Sequence, residues 1–243
     1  MTGPEFMSWY YHNGGQELHH ELGSIFNLRP MIAGNTGHQP GGWFNKEINS
    51  LADLKGLKMR FPGFGGEVFK RAGGTPVNIP GGELYTAMQT GTIDAVEWVG
   101  PYNDLTFGLH QVAEYYYYPG WHEPGSTLEI IINKDAYESL PEDLKAIIKY
   151  AAKASNQEML DEYTARNNKA LNELIEKHNI ELKKIPDTVL VELRRITDEV
   201  MEDFIADDVM AQKVYKSYKE FKDQVINYHR ISEKAYIDTR ELD

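Results

Sequence analysis

The chain has 243 residues, enough for one large domain or two small ones around a substantial core. Its formal net charge of −12 argues against a nucleic-acid surface, because phosphate binding draws most of its free energy from clustered Lys and Arg. With no cysteine there is no disulfide, thiolate nucleophile or Cys-ligated zinc, and no apolar run approaches the roughly 20 residues that span a bilayer.

Thr2-Gly3-Pro4-Glu5 reads as a helix start, with Thr2 as N-cap and Glu5 as its capping-box partner. That places Phe6, Trp9, Tyr10 and Leu18 on buried faces, with Gly14-Gly15 weakening the middle. The N-terminus lacks the basic, apolar and small-residue regions of a signal peptide. Leu28 to Ala33 looks like a strand, and Gly34 to Phe44, rich in Gly and polar residues, like a loop. Asn49 to Leu57 suggests a short capped helix, and Lys58 to Phe61 a strand stopped by Pro62-Gly63.

From Gly65 to Tyr118 the signals alternate in short units. Helices are expected at Glu67 to Arg71, Gly82 to Gln89 and Pro101 to Gly108, and strands at Pro76 to Ile79, Ile93 to Trp98 and Glu114 to Tyr118. Such alternation implies a largely parallel sheet covered on both faces. Leu128 to Asn133 adds an apolar strand. After Leu140-Pro141-Glu142, apolar residues recur at helical spacing from Leu144 to Ile175 with no Gly or Pro, which predicts one long helix. A short strand at Glu181 to Ile185 and helices at Thr188 to Ala206 and Val209 to Tyr236 complete the chain. Val214, Tyr218, Phe221, Val225, Tyr228 and Ile231 form an apolar stripe on the last helix, which must bury itself against something.

Candidate site residues sit at the ends of the short apolar runs. Arg60 ends a predicted parallel strand, where open α/β sheets place their ligands, and its planar fork can make two parallel hydrogen bonds to a carboxylate. A surface or structural arginine is the competing reading. Glu97 and Trp98 end another strand, where a packed Trp beside a solvated Glu is the simpler explanation. Glu123 lies between His122 and Pro124 in a stiff turn, so a partly buried carboxylate there needs a cation or hydrogen-bond donors. Gln39, in the Gly-rich loop, offers a neutral oxygen. Two carboxylates, an amide oxygen and a backbone carbonyl suit sodium or calcium better than zinc.

Other motifs reduce to ordinary structure. Glu17-Leu18-His19-His20-Glu21 lacks the i, i+4 histidines of a zinc-protease helix, and Gly63-Phe64-Gly65-Gly66 lacks the Lys-Ser or Lys-Thr of a phosphate loop. Tyr115 to Tyr118 reads as a strand with rings on both covered faces rather than a stacking platform. No nucleophile elbow occurs; Gly125-Ser126-Thr127 is not one.

Three further motifs carry a family resemblance: Gly34-Asn35-Thr36-Gly37 through Gly41-Gly42-Trp43-Phe44-Asn45, then Leu54 to Arg60, then Ile79-Pro80-Gly81-Gly82-Glu83. Asp94-Ala95-Val96-Glu97-Trp98-Val99-Gly100-Pro101-Tyr102-Asn103-Asp104 and Tyr115 to Gly125 continue it. Together they resemble the DctP-type substrate-binding subunit of tripartite ATP-independent periplasmic (TRAP) transporters, in the branch that binds 2-oxo monocarboxylates such as pyruvate.

The resemblance implies an α/β, type II periplasmic-binding-protein-like fold of two lobes, with mixed sheets, a long connecting helix and a helical C-terminus. It implies an incomplete first lobe, made of residues 1–37 and 126–165, a second lobe of 38–125 and 166–208, and a C-terminal helix, 209–243, that can exchange between the subunits of a homodimer. Arg60 would pair with the substrate carboxylate, while Gln39, Glu97, the Trp98 carbonyl and Glu123 would surround a sodium or calcium ion bridging protein and substrate. Asn35, Trp43 and Phe44 join Arg60, Gln39, Trp98 and Glu123 as expected substrate-binding residues. The implied role is a periplasmic, non-enzymatic receptor that traps its ligand by lobe closure and delivers it to a membrane permease, with no organic cofactor and no nucleic-acid partner. Two rivals are a metal-dependent enzyme acting on 2-oxo acids, for which no convincing general base is present, and an interaction module that binds no ligand.

Overall fold

The computed structural model describes every residue except 241 and 243. The chain opens with helices α1 (Gly3–His12) and α2 (Gly15–Ile25), then strands β1 (Leu28–Asn35), β2 (Gly42–Phe44) and β3 (Lys58–Arg60). Next come α3 (Gly63–Arg71), β4 (Thr75–Val77), α4 (Leu84–Gln89), β5 (Ala95–Val96), α5 (Pro101–Thr106) and β6 (Tyr115–Tyr118). They are followed by β7 (Thr127–Asn133), α6 (Lys134–Glu138), the 35-residue α7 (Glu142–Glu176) and β8 (Glu181–Lys184). Helices α8 (Asp187–Ile205), α9 (Val209–Ile231) and α10 (Glu233–Thr239) complete it.

The capping box at α1 forms as its sequence dictates, the Thr2 amide donating to Glu5 Oε2 at 2.7 Å and the Glu5 amide to Thr2 Oγ1. The unbroken helical period after Pro141 becomes α7. Three expectations about single elements need correction. Residues 42–44 are a strand, not loop, because Gly42 has φ +115° and a Cβ there would come within 2.7 Å of the Val96 carbonyl; only glycine lets β2 enter so close to β5. The capped helix near residue 50 is a single 3₁₀ turn, Leu51–Leu54, capped by Ser50 and Asp53. The last predicted helix breaks at Ser232, which has φ −116° and ψ −106°, giving α9 and α10.

The chain forms two compact units. The central unit comprises residues 35–126 and 157–203. Its six-stranded sheet has the order β4-β3-β5-β2-β6-β8. β3 runs parallel to β4 and β5, and β6 parallel to β8, while β2 is antiparallel to both β5 and β6. The sheet is therefore mixed, as the resemblance implies, and not largely parallel as helix–strand alternation alone suggests. Side chains alternate with period two between two apolar cores. Phe44, Ala95 and Tyr117 enter one, with Met59, Phe69 and Leu193; Trp43, Val96 and Tyr116 enter the other, with Leu84, Ile93 and Leu174.

The terminal unit comprises residues 1–34, 127–156 and 204–243. β1 and β7 form a two-stranded sheet. Trp9, Tyr10, Leu18 and Ile32 make one small core, on which Val214, Tyr218 and Phe221 of α9 pack. The first half of the α9 stripe is thus used within the chain, whereas Tyr228 and Ile231 are exposed. Among the described residues no helix is long and apolar enough to cross a membrane.

Candidate anion and cation site

Parallel pairing of β3 with β5 sets Arg60 opposite Val96, so the next residue, Glu97, falls beside the guanidinium. Arg60 Nη1 donates to the Glu97 carbonyl at 2.9 Å and to Glu97 Oε2 at 2.8 Å. Arg60 Nε is buried without a partner among the described residues, and the guanidinium carbon lies 5.1 Å from the Trp98 ring centroid. The indole has room because residue 81 is glycine; a Cβ there would sit 2.6 Å from the ring. Trp98 Nε1 is also buried and has no partner among the described residues, so donors of both Arg60 and Trp98 are left for a further acceptor.

Glu97 is buried, and burial pushes its carboxyl up to about 8. Arg60 opposes that rise, while Glu123 and Asp104 add to it. Glu123 is also raised by burial, against the pull of Ser126 and Arg60. Both carboxyls are held back from ionising chiefly by burial, and Glu123 adds like-charge repulsion on Glu97 that the Arg60 guanidinium opposes.

Two loops bring Gln39 to Glu123: the Gln39 amide donates to the Glu123 carbonyl at 3.2 Å, and Gly120 lies so close to Gln39 that a Cβ would be 2.0 Å from its carbonyl oxygen. The buried Gln39 side chain donates Nε2 to Thr36 Oγ1 at 3.1 Å. Its Oε1 then faces Glu123 Oε2 at 3.0 Å and the Trp98 carbonyl at 2.9 Å. Three acceptor oxygens at that spacing with no hydrogen between them repel, unless a cation lies among them. A turned-over amide would instead donate to Glu123 and Trp98 and accept from Thr36. The Gln39, Trp98 and Glu123 oxygens, with Glu97 alongside, fit a hard cation such as sodium or calcium.

Asn35 is buried; its Oδ1 accepts from the Gly37 amide and its Nδ2 has no partner among the described residues. Trp43 and Phe44, expected to touch substrate, are core residues instead. Trp43 stacks on Tyr116 at 4.0 Å and donates Nε1 to Asp104 Oδ2 at 2.8 Å, and Phe44 packs edge-on against Tyr117 on the opposite core. The reason is strand period: adjacent residues of a central strand point into opposite covered faces. The sequence reading missed Asp104, whose carboxylate accepts from Trp43, Tyr116 and the amides of Val99 and Gly100. It also gave His122 no role, although the residue directly precedes Glu123.

Comparison with known proteins matches the chain to a family. The model of bacterial extracellular solute-binding protein family 7, DctP, matches residues 5–208. A monocarboxylate 2-oxoacid-binding periplasmic protein of a Nostoc species is 41% identical over 236 residues, covering 97% of this chain and 65% of that protein. A TRAP periplasmic solute-binding protein of Colwellia psychrerythraea, solved with calcium and pyruvate, is 43% identical with a TM-score of 0.94 over 98% of this chain and 73% of its own. A counterpart from Pseudoalteromonas atlantica, solved with sodium and pyruvate, is 43% identical with a TM-score of 0.93 over 100% and 73%. The chain spans 65% of the length of the curated Nostoc relative. Because the family match covers most of the chain and the fold matches throughout, the chain belongs to bacterial extracellular solute-binding protein family 7, the DctP family of TRAP solute receptors.

Proposed function

We propose that the protein is the solute receptor of a TRAP transporter and binds a small 2-oxo monocarboxylate, of the pyruvate class, together with sodium or calcium. The observation that carries this reading is the meeting of one cation, Arg60, with four oxygen-bearing groups, Gln39, Glu97, Trp98 and Glu123, within one unit. Arg60 supplies charge and a planar fork to the carboxylate. The oxygens hold the ion, and the ion in turn takes the carboxylate and keto oxygens of the ligand. Trp98 Nε1 and Arg60 Nε are buried donors without a partner among the described residues and would take ligand oxygens, with Asn35 Nδ2 as a further candidate donor.

Delivery to membrane permease subunits, a periplasmic location, and a homodimer through the exposed part of the C-terminal helices, Tyr228, Ile231 and Tyr236, complete the proposal. Calorimetric titration with pyruvate, with calcium and after chelation, tests the receptor reading. Binding that needs the cation and returns the ligand unchanged is the expected result. Conversion of pyruvate to another compound would instead favour an enzyme acting on 2-oxo acids.

A further inference from the structure

His122 has a buried side chain, 6% exposed, and neither of its ring nitrogens has a partner among the described residues. Phe61 holds the ring edge-on at 4.6 Å between centroids and Trp121 at 5.3 Å, so apolar packing fixes its plane. Nε2 lies 3.9 Å from Glu123 Oε2, too far for a hydrogen bond. One nitrogen of His122 and one carboxylate oxygen from each of Glu97 and Glu123 all lie within 4.8 Å of one another.

A buried imidazole left without any partner calls for an explanation. Here it faces two carboxylates, so a bare anion is repelled from the space between them, while a cation satisfies the nitrogen lone pair and both oxygens. Sodium and calcium take oxygen ligands and do not use the nitrogen. Zinc and its first-row neighbours do use imidazole.

We propose that Glu97, His122 and Glu123 form a mixed nitrogen–oxygen donor set that takes a borderline divalent transition ion, of the zinc or cobalt class, in place of the hard cation. The proposal rests on the assignment of Glu97 and Glu123 to the cation. Around a tetrahedral ion with ligands at about 2.1 Å the donors sit roughly 3.4 Å apart, so rotation of the two glutamate side chains by about an ångström closes the set. Glu97 keeps one oxygen on Arg60 and offers the other. The sequence consequence is that the residue before Glu123 sets which metals the receptor accepts.

Titration of the full chain with Co²⁺, followed by its visible absorption and competed with Ca²⁺, tests the assignment. The expected result is one Co²⁺ site that Ca²⁺ displaces, and a Co²⁺-to-Ca²⁺ affinity ratio that falls on the order of tenfold or more in His122→Phe. Phe fills the slot between Phe61 and Trp121; if circular dichroism shows that it does not fold, the smaller and still polar His122→Asn gives the same ratio. A ratio within twofold of the parent, no competition by Ca²⁺, or Co²⁺ held by the other histidines each overturns the nitrogen ligand. Glu123→Gln weakens both ions if the shared site is correct. Unaltered Ca²⁺ binding in Glu123→Gln removes the underlying cation assignment, an outcome distinct from failure of the His122→Phe ratio.

Discussion

In the central unit a six-stranded sheet is covered on both faces, and residues such as Trp43, Ile93 and Leu174 are wholly buried. In the terminal unit two strands carry the sheet, and β7 leaves Leu128, Ile130 and Ile131 exposed. Ile147 and Tyr150 of α7 and Phe26 after α2 are exposed as well. An apolar cavity of about 440 Å³ remains between Trp9, Tyr10, Leu18, Ile32, Val214 and Tyr218. Two strands fall short of the three or more that give a sheet independent stability. The difference teaches that the site's rigidity comes from the unit that closes its own core, because Arg60, Glu97, Gln39 and Glu123 all belong to it.

Matched truncations give the largest contrast between the units. Ile93→Ala removes a fully buried side chain and is expected to cost about 2 to 5 kcal/mol. Ile131→Ala, at a position 56% exposed, is expected to change stability by less than about 0.5 kcal/mol. Urea unfolding of the two variants measures both. Comparable losses would mean that β7 is covered in solution and would dissolve the contrast.

Within the central unit, Arg60→Ala is expected to weaken pyruvate binding in calcium by about 2 to 5 kcal/mol, since it removes one partner of a buried charge pair. Arg60→Lys is expected to lose less, because it keeps the charge and gives up the planar two-point geometry. Calorimetric titration of both variants ranks them. Parental affinity in Arg60→Ala would take the carboxylate away from this residue.

How much of this was legible in the residues depended on range. Local signals were faithful: Thr2 and Glu5 formed their capping box, and the period after Pro141 formed one helix to Glu176. Arg60 and Glu97 were legible as strand-end residues, but their contact follows from β3 lying next to β5, which no spacing reveals. Glycine-rich composition misled for β2, whose entry depends on Gly42 at positive φ against a neighbouring carbonyl. Trp43 and Phe44 were expected as ligand contacts from the resemblance alone, and the apparent loop hid the strand whose two covered faces take them into the cores. Asp104 and His122 were illegible for a related reason. Each gains its meaning from partners distant in sequence, Trp43 for one and Glu97 for the other.

Asp104 offers a pH test of how tightly the central unit is closed. Its carboxylate accepts four hydrogen bonds, yet complete burial pushes it up to about 6 from an ordinary 3.8. Between those values the folded chain holds a proton that the unfolded chain has released. The contribution of Asp104 to stability is therefore full below about pH 4 and is lost as pH rises to about 6. At 1.36 kcal/mol per pH unit the loss is about 3 kcal/mol. Asp104→Asn cannot titrate, so the stability difference between parent and variant is expected to shrink by about 2 kcal/mol from pH 4 to 6.5 in urea unfolding. A constant difference would show that the four donors hold the carboxylate ionised throughout, and that burial is not the dominant influence.

A smaller loss than in the central unit is expected at the opposite end of the comparison, in the terminal unit. Thr2 caps α1, and its partner Glu5 also accepts from His229 Nδ1 at 2.6 Å, which links the start of α1 to the last turn of α9. Thr2→Ala removes the hydroxyl acceptor of the Glu5 amide, a loss of about 1 kcal/mol for a helix N-cap. The Glu5 side chain keeps its bond from the residue 2 backbone amide, but the first turn that carries it frays, so the α1–α9 contact loosens with the helix end. Because the small core of this unit rests on the same two helices through Trp9 and Tyr218, hydrogen exchange should accelerate along α1 and α9. Amides of β3 and β5 around Arg60 and Glu97 should keep parental protection. Acceleration spread equally over both sets of amides would show that the two units unfold as one, and that the difference between them is one of packing but not of independent stability.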